Sequence, residues 1–137
     1  MGYGDEVTVR RLLRYPTWAV VGLSANPQRP SYGVARFLQA HGVRVIPVNP
    51  NCGASVLGER AYCALADIPD PVDVVDVFRR SEAAGAVADE AVAIGARGVW
   101  FQLDVVDHAA YDRVRAAGIG MVMDRCPAIE WPAHGPR

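Results

Sequence analysis

Lysine is missing from this chain: all fourteen cations are arginines, set against fifteen acids for a formal net charge of −1. A nearly neutral balance excludes the broad basic footprint of a nucleic-acid binder. No apolar run approaches the roughly 20 residues a membrane helix needs, so no membrane partner is expected. Cysteine is scarce. Cys52, Cys63 and Cys126 make no Cys-x-x-Cys or Cys/His spacing, which argues against zinc. Their odd number argues against a disulfide framework and fits a reducing cytoplasm. The segment Met1–Arg14 lacks the apolar core of a signal peptide. Histidine is as sparse: His41, His108 and His134 all fall away from the expected strand ends, so a Ser-His-acid triad has no support.

What is present is enough for one core. The chain has 137 residues, 51% of them hydrophobic, which suits a single compact domain. Asp5 is placed to cap a short helix with Val9, Leu12 and Leu13 on one side, stopped by Pro16. Apolar runs at 17–22, 43–48, 72–78, 98–101 and 119–123 read as five strands. Between them lie helical stretches. One starts at Ser31 as N-cap, buries Val34, Phe37, Leu38 and His41, and ends at Gly42. The next is capped by Ser81 and closed by Gly95 or Gly98, and another is capped by Asp107 and closed by Gly118. Residues 49–71 read as irregular, with a helical turn near 64–66, and the proline-rich tail from Pro127 as irregular too. Alternation of this kind predicts a Rossmann-like α/β domain, a doubly wound parallel sheet in three layers, with strand order 3-2-1-4-5.

Ligands of open parallel sheets sit beyond the carboxyl ends of the strands. The first end carries Gly22, Ser24, Ala25, Asn26, Pro27, Arg29, Ser31 and Tyr32, small or polar residues leading into a helix N-terminus. Free N–H groups and partial positive charge there suit a phosphate. The dinucleotide fingerprint G-x-G-x-x-G is absent, because the positions read Gly22-Leu-Ser-Ala-Asn-Pro27. The second strand ends Val48-Asn49-Pro50 where an NAD site wants an acid. A neutral residue there tolerates a phosphorylated ribose. The third strand ends Phe78-Arg79-Arg80, two cations suited to an anion, and Gln102 closes the fourth. Trp100 and Phe101 point to opposite faces, so one of them is expected in the core. Asp73 and Asp76 fall inside the third strand, where exposure at a sheet edge accounts for them most simply. Cys126 reads as a buried, inert thiol.

Six segments together resemble the single-domain CoA-binding protein family, itself similar to the CoA-binding N-terminal domain of the succinyl-CoA synthetase α subunit. They are Val21-Gly-Leu-Ser-Ala-Asn-Pro-Gln-Arg-Pro-Ser31, Val45-Ile-Pro-Val-Asn-Pro50, Asp67-Ile-Pro-Asp-Pro-Val-Asp73, Val75-Asp-Val-Phe-Arg79, Gly98-Val-Trp-Phe-Gln102 and Met123-Asp-Arg-Cys126. They follow the family's order and span nearly the whole chain. The resemblance implies coenzyme A or an acyl-CoA as ligand, with phosphates on the loop from Gly22 to Ser31. Asn49-Pro50 and Phe78-Arg79 would line its adenosine and pantetheine sides. It does not imply ligase activity, which in the synthetase rests on a phosphorylated histidine of a second domain.

The expectation is therefore a cytoplasmic, stand-alone CoA-binding module without catalytic residues, acting alone, as a homodimer or beside a separate acyl-CoA enzyme. The rival reading is an NAD(P)-dependent oxidoreductase or redox-sensing dinucleotide binder, with the arginines holding a 2′-phosphate.

Overall fold

A computed structural model describes residues 2–137. In chain order the elements are α1 (Glu6–Leu13), β1 (Thr17–Val21), α2 (Pro30–Ala40), β2 (Arg44–Val48), β3 (Ser55–Val56), β4 (Glu59–Arg60), β5 (Val74–Val77), α3 (Ser81–Ala93), β6 (Gly98–Phe101), α4 (His108–Ala116), β7 (Gly120–Val122) and α5 (Pro127–His134). A 3₁₀ turn at Leu65–Asp67 sits where a helical turn is expected. Thr8 N donates to Asp5 Oδ1 at 2.7 Å and Ala110 N to Asp107 Oδ1 at 3.0 Å, so both aspartates cap as the sequence predicts. Gly42, Gly95 and Gly118 end α2, α3 and α4 with positive φ, while Gly98 opens β6.

The main sheet is parallel and runs β2-β1-β5-β6-β7. Counting only its own strands, that is 2-1-3-4-5, not the expected 3-2-1-4-5. Pro47 supplies the reason. It lies inside β2, opposite Val20 of β1, and a proline has no N–H for a second ladder. The second strand must therefore be an edge, which leaves the place on the other side of β1 to β5. The outer rim of β2 is partly covered, since Tyr62 N donates to the Pro47 carbonyl and Asn49 N to the Tyr62 carbonyl, both at 3.0 Å.

Helices α3 and α4 cover one face, over Ala19, Val75, Val77, Val99 and Phe101. The other face, with Trp18, Val20, Val74, Trp100 and Val122, lies under α1, α2 and α5. Trp100 and Phe101 are thus both core, because both faces of β6 are covered. The tail is helical rather than irregular. Pro127 sits at the first helical position, which its fixed φ favours, and Trp131 packs edge-on to Phe37 at 6.0 Å between ring centres. His41 lies on the exposed side of α2's end, its ring stacked on Phe37.

Two further expectations change. Asp76 is not at an edge: it is 0% exposed in the central strand, between Val20 and Trp100. Neither carboxylate oxygen has a hydrogen-bond partner, and burial pushes its pKa well above the usual carboxylate range. Asp73, by contrast, accepts from Thr17 N at 3.2 Å. The segment 49–63 is more ordered than its composition suggests. It folds into the β3–β4 hairpin around Leu57 and Gly58, both with positive φ, and a disulfide joins Cys52 to Cys63. An odd cysteine count forbids only complete pairing; Cys126 is the buried, unpaired thiol.

Candidate functional site

The strand order reverses between β1 and β5, and a crevice opens at their carboxyl ends. Gly22 begins it. Its φ of +89° is a left-handed conformation, and a Cβ there would overlap the Phe78 carbonyl. Only glycine lets these two strand ends run so close. Gly22 N donates to Val48 O and Phe78 N to Val21 O, each at 2.8 Å, which ties three strand ends together.

The turn after Gly22 is held by its own side chains. Asn26 N donates to Ser24 Oγ at 3.0 Å, and Gln28 N to Asn26 Oδ1 at 2.9 Å. Ser31 is not the N-cap. Helix α2 already starts at Pro30, whose ring presets the helical φ, so Arg29, two residues before Ser31, takes the capping position. The Ser31 hydroxyl, 4% exposed, instead accepts from Ser24 N at 3.1 Å. No side chain caps α2; Pro30 has no N–H and Tyr32 N donates to Arg29 O at 3.1 Å, which leaves the Ser31 N–H for an anion. A shift of one residue happens at α3. It begins at Ser81, and the Ser81 hydroxyl accepts from Val106 N at 3.0 Å and donates to Asp104 O at 3.3 Å.

Two adjoining depressions share Gly22 and Ser24. One, of about 210 Å³, is lined by Gly22, Leu23, Ser24 and Ala25 from the turn, Asn49, Pro50, Asn51, Ala54 and Val56 from the β2 side, and Arg79 from beyond β5. The other, of about 350 Å³, is lined by Gly22, Ser24, Arg29, Pro30, Ser31 and Phe78. Among the described residues neither Arg29 nor Arg79 has an ion-pair partner. Two always-charged guanidinium groups therefore flank an uncapped helix start. Asn49, 9% exposed, donates through Nδ2 to Leu23 O at 2.8 Å, which fixes the turn to β2. Its Oδ1 is buried without a partner and can accept a donor from a ligand.

Nine of the fifteen sequence-chosen residues line these depressions: Gly22, Ser24, Ala25, Arg29, Ser31, Asn49, Pro50, Phe78 and Arg79. The other six lie outside them. Asn26 and Pro27 belong to the turn but not to its lining, and Tyr32 is half-buried against the core under α2. Val48 faces a separate recess, and Arg80 is exposed as the N-cap of α3. Gln102 is buried in the turn after β6, where its carbonyl accepts from Val105 N at 3.0 Å. Sequence reasoning missed Leu23, Pro30, Asn51, Ala54 and Val56. The last two enter through the hairpin, whose Leu57-Gly58 turn is its one local signal.

No His, Cys, Asp or Glu among the described residues lines the two depressions. Among the described residues no cluster of three or more His, Cys, Asp or Glu could hold a metal ion. Among the described residues no helix is long and apolar enough to cross a membrane. The chemistry on offer is anion binding, with one polar acceptor and a small apolar wall.

Comparison with known proteins bears on what that anion is. Residues 16–132 match the CoA binding domain family. Over 108 residues the chain is 41% identical to the uncharacterized protein YneT of Bacillus subtilis (strain 168), covering 79% of each sequence. A hypothetical protein from Pyrococcus horikoshii OT3 superposes with a TM-score of 0.88 at 34% identity, over 95% of this chain and 92% of that one. The acetyl-coenzyme A synthetase 1 of Ca. Korarchaeum cryptofilum shares the fold at a TM-score of 0.70 and 23% identity, over 82% of this chain and 26% of that one.

Proposed function

Because this chain belongs to the CoA binding domain family, we propose that it binds coenzyme A or an acyl-CoA over the carboxyl ends of β1, β2 and β5. It does so as a stand-alone module without catalysis of its own. The phosphates lie on the Gly22–Ser31 turn, against the Ser31 N–H at the start of α2, within reach of Arg29 and Arg79. The adenosine side rests on Asn49 and Pro50, with the Asn49 Oδ1 accepting from the ligand. Phe78 gives an apolar surface to the adenine or the pantetheine arm.

One observation carries this reading: Arg29 and Arg79, on different elements and without ion-pair partners among the described residues, line depressions that meet at Gly22 and Ser24. Charge-assisted hydrogen bonds contribute about 1.5–3 kcal/mol each. Two or three of them bring a polyanion close to the roughly 8 kcal/mol of micromolar binding. The neutral Asn49 also supports a phosphorylated ribose, because an acid at that point would repel it.

Isothermal titration with CoA, dephospho-CoA and NADP(H) tests the proposal. CoA is expected to bind in the micromolar range, dephospho-CoA more weakly, and NADP(H) weakest. Absence of heat with millimolar CoA would rule the proposal out.

A further inference from the structure

The Cys52–Cys63 disulfide, with Cα atoms 4.8 Å apart, fastens the wall of the ligand crevice. Asn51 and Ala54, on either side of Cys52, line the crevice itself, and so does Arg79. Arg79 also lines a recess that reaches Cys63, together with Glu90. On its other side the disulfide borders a third depression with Arg60 and Asp67. Cys63 is exposed and Cys52 half-buried, so Cys63 is the more open of the two residues to an incoming thiol. Arg60 and Arg79 draw in an anionic thiol and favour a departing thiolate, offset in part by the Asp67 and Glu90 carboxylates.

We propose that this disulfide is a thiol-exchange site served by the sulfhydryl of the ligand in the neighbouring crevice; the proposal rests on that ligand being CoA. The ligand thiolate attacks Cys63 Sγ and the Cys52–Cys63 bond breaks. Cys52 leaves as a thiolate, which takes a proton from water, and Cys63 carries a mixed disulfide. A second ligand thiolate then attacks the ligand sulfur of that mixed disulfide. Cys63 leaves as a thiolate and is protonated. Two ligand thiols have become one disulfide, and the protein disulfide has become two thiols. No other oxidant or reductant is needed. Reduction also unties the Asn51–Ala54 wall from Cys63, so the exchange changes the crevice that brought the thiol.

The test starts from oxidised protein and equal millimolar concentrations of CoA or glutathione, with acid quenching, mass spectrometry of the intact chain and mapping of the modified cysteine. CoA is expected to react about tenfold faster or more, the gain of a held over a free reactant. Its adduct should map to Cys63, and Arg79→Ala should bring the CoA rate down toward that of glutathione. Equal rates for the two thiols, an adduct confined to Cys126, or an intact disulfide overturns the proposal. Calorimetry with desulfo-CoA, which lacks the thiol, separates the two readings. Binding of desulfo-CoA without exchange removes the exchange site and leaves the crevice assignment standing, whereas loss of both removes both.

Discussion

The carboxyl end of the sheet has two halves built from the same kind of parts and finished in opposite ways. Over β1, β2 and β5 the turn leads into an uncapped helix, and among the described residues Arg29 and Arg79 have no ion-pair partners. Over β6 and β7 the polar groups serve the protein. Asp104 N donates to Asp124 Oδ1 at 2.8 Å, a bond that holds the Asp124 carboxyl below its usual range. Trp100 Nε1 donates to Arg125 O at 2.8 Å. Arg125 in turn pairs with Glu130 at 3.3 Å and donates to the carbonyls of Tyr3 and Gly4. An arginine at a strand end is therefore not by itself a ligand group. What separates Arg79 from Arg125 is whether the fold has already used it.

The sharpest way to break the contrast is to close the open half. Gly22→Val places a branched side chain at a φ of +89° against the Phe78 carbonyl. Strain of that kind costs on the order of 1–3 kcal/mol before any clash. A lower melting temperature and loss of CoA binding by calorimetry are expected. Wild-type affinity in this variant would move the ligand elsewhere.

Next comes the arginine pair. Arg79→Ala should weaken CoA by about 10- to 100-fold, the loss of one charge-assisted contact. Arg125→Ala should leave affinity within about twofold yet lower stability by roughly 1–2 kcal/mol in a denaturant melt, through its lost hydrogen bonds. Matching losses of affinity in the two variants would erase the distinction between the halves.

Asp76 lies on the border, between Val20 of the open half and Trp100 of the closed one. Its folded pKa is raised by burial, so the native state holds a proton that the unfolded chain releases at lower pH. Its effect on stability is therefore absent below the unfolded pKa of about 3.9, and stability falls as pH rises from there toward the raised folded value. Asp76→Asn removes that slope. The gain in melting temperature over wild type should be larger at pH 8 than at pH 4, on the order of 3 °C at the higher pH. An equal shift at both pH values would mean that Asp76 does not carry the slope.

The smallest effect is expected at Gln102, in the closed half. Gln102→Ala should change CoA affinity by less than about twofold, since interactions outside a contact surface seldom couple to it.

Periodicity made most of this fold legible, because the strands are short apolar runs separated by capped, glycine-ended helices. The strand order was legible too, in Pro47, whose missing N–H forbids an interior second strand; the general Rossmann pattern hid that local chemistry. Ser31 and Ser81 looked like N-caps because serine favours that position. In the fold both hydroxyls satisfy distant backbone N–H groups instead, a tertiary demand that composition does not reveal. Helix α5 was obscured by its prolines, one of which sits where a helix tolerates it best. At the site, the Gly22 turn and the third-strand arginine could be read from strand ends alone. Ala54 and Val56 could not, because a two-residue hairpin strand shows too little alternation to mark its inner face.

Both rims of the sheet carry a cover. Tyr62 bonds along β2, and on the far side Tyr3 exchanges bonds with Met123 just past β7, from Tyr3 N to Met123 O at 2.8 Å and back at 3.2 Å. A naked rim invites another copy to extend the ladder. Here such an extension would first have to strip a tyrosine strap from its own molecule. Self-association by strand addition thus begins with a local unfolding step, while the helical faces meet a neighbour with no such barrier.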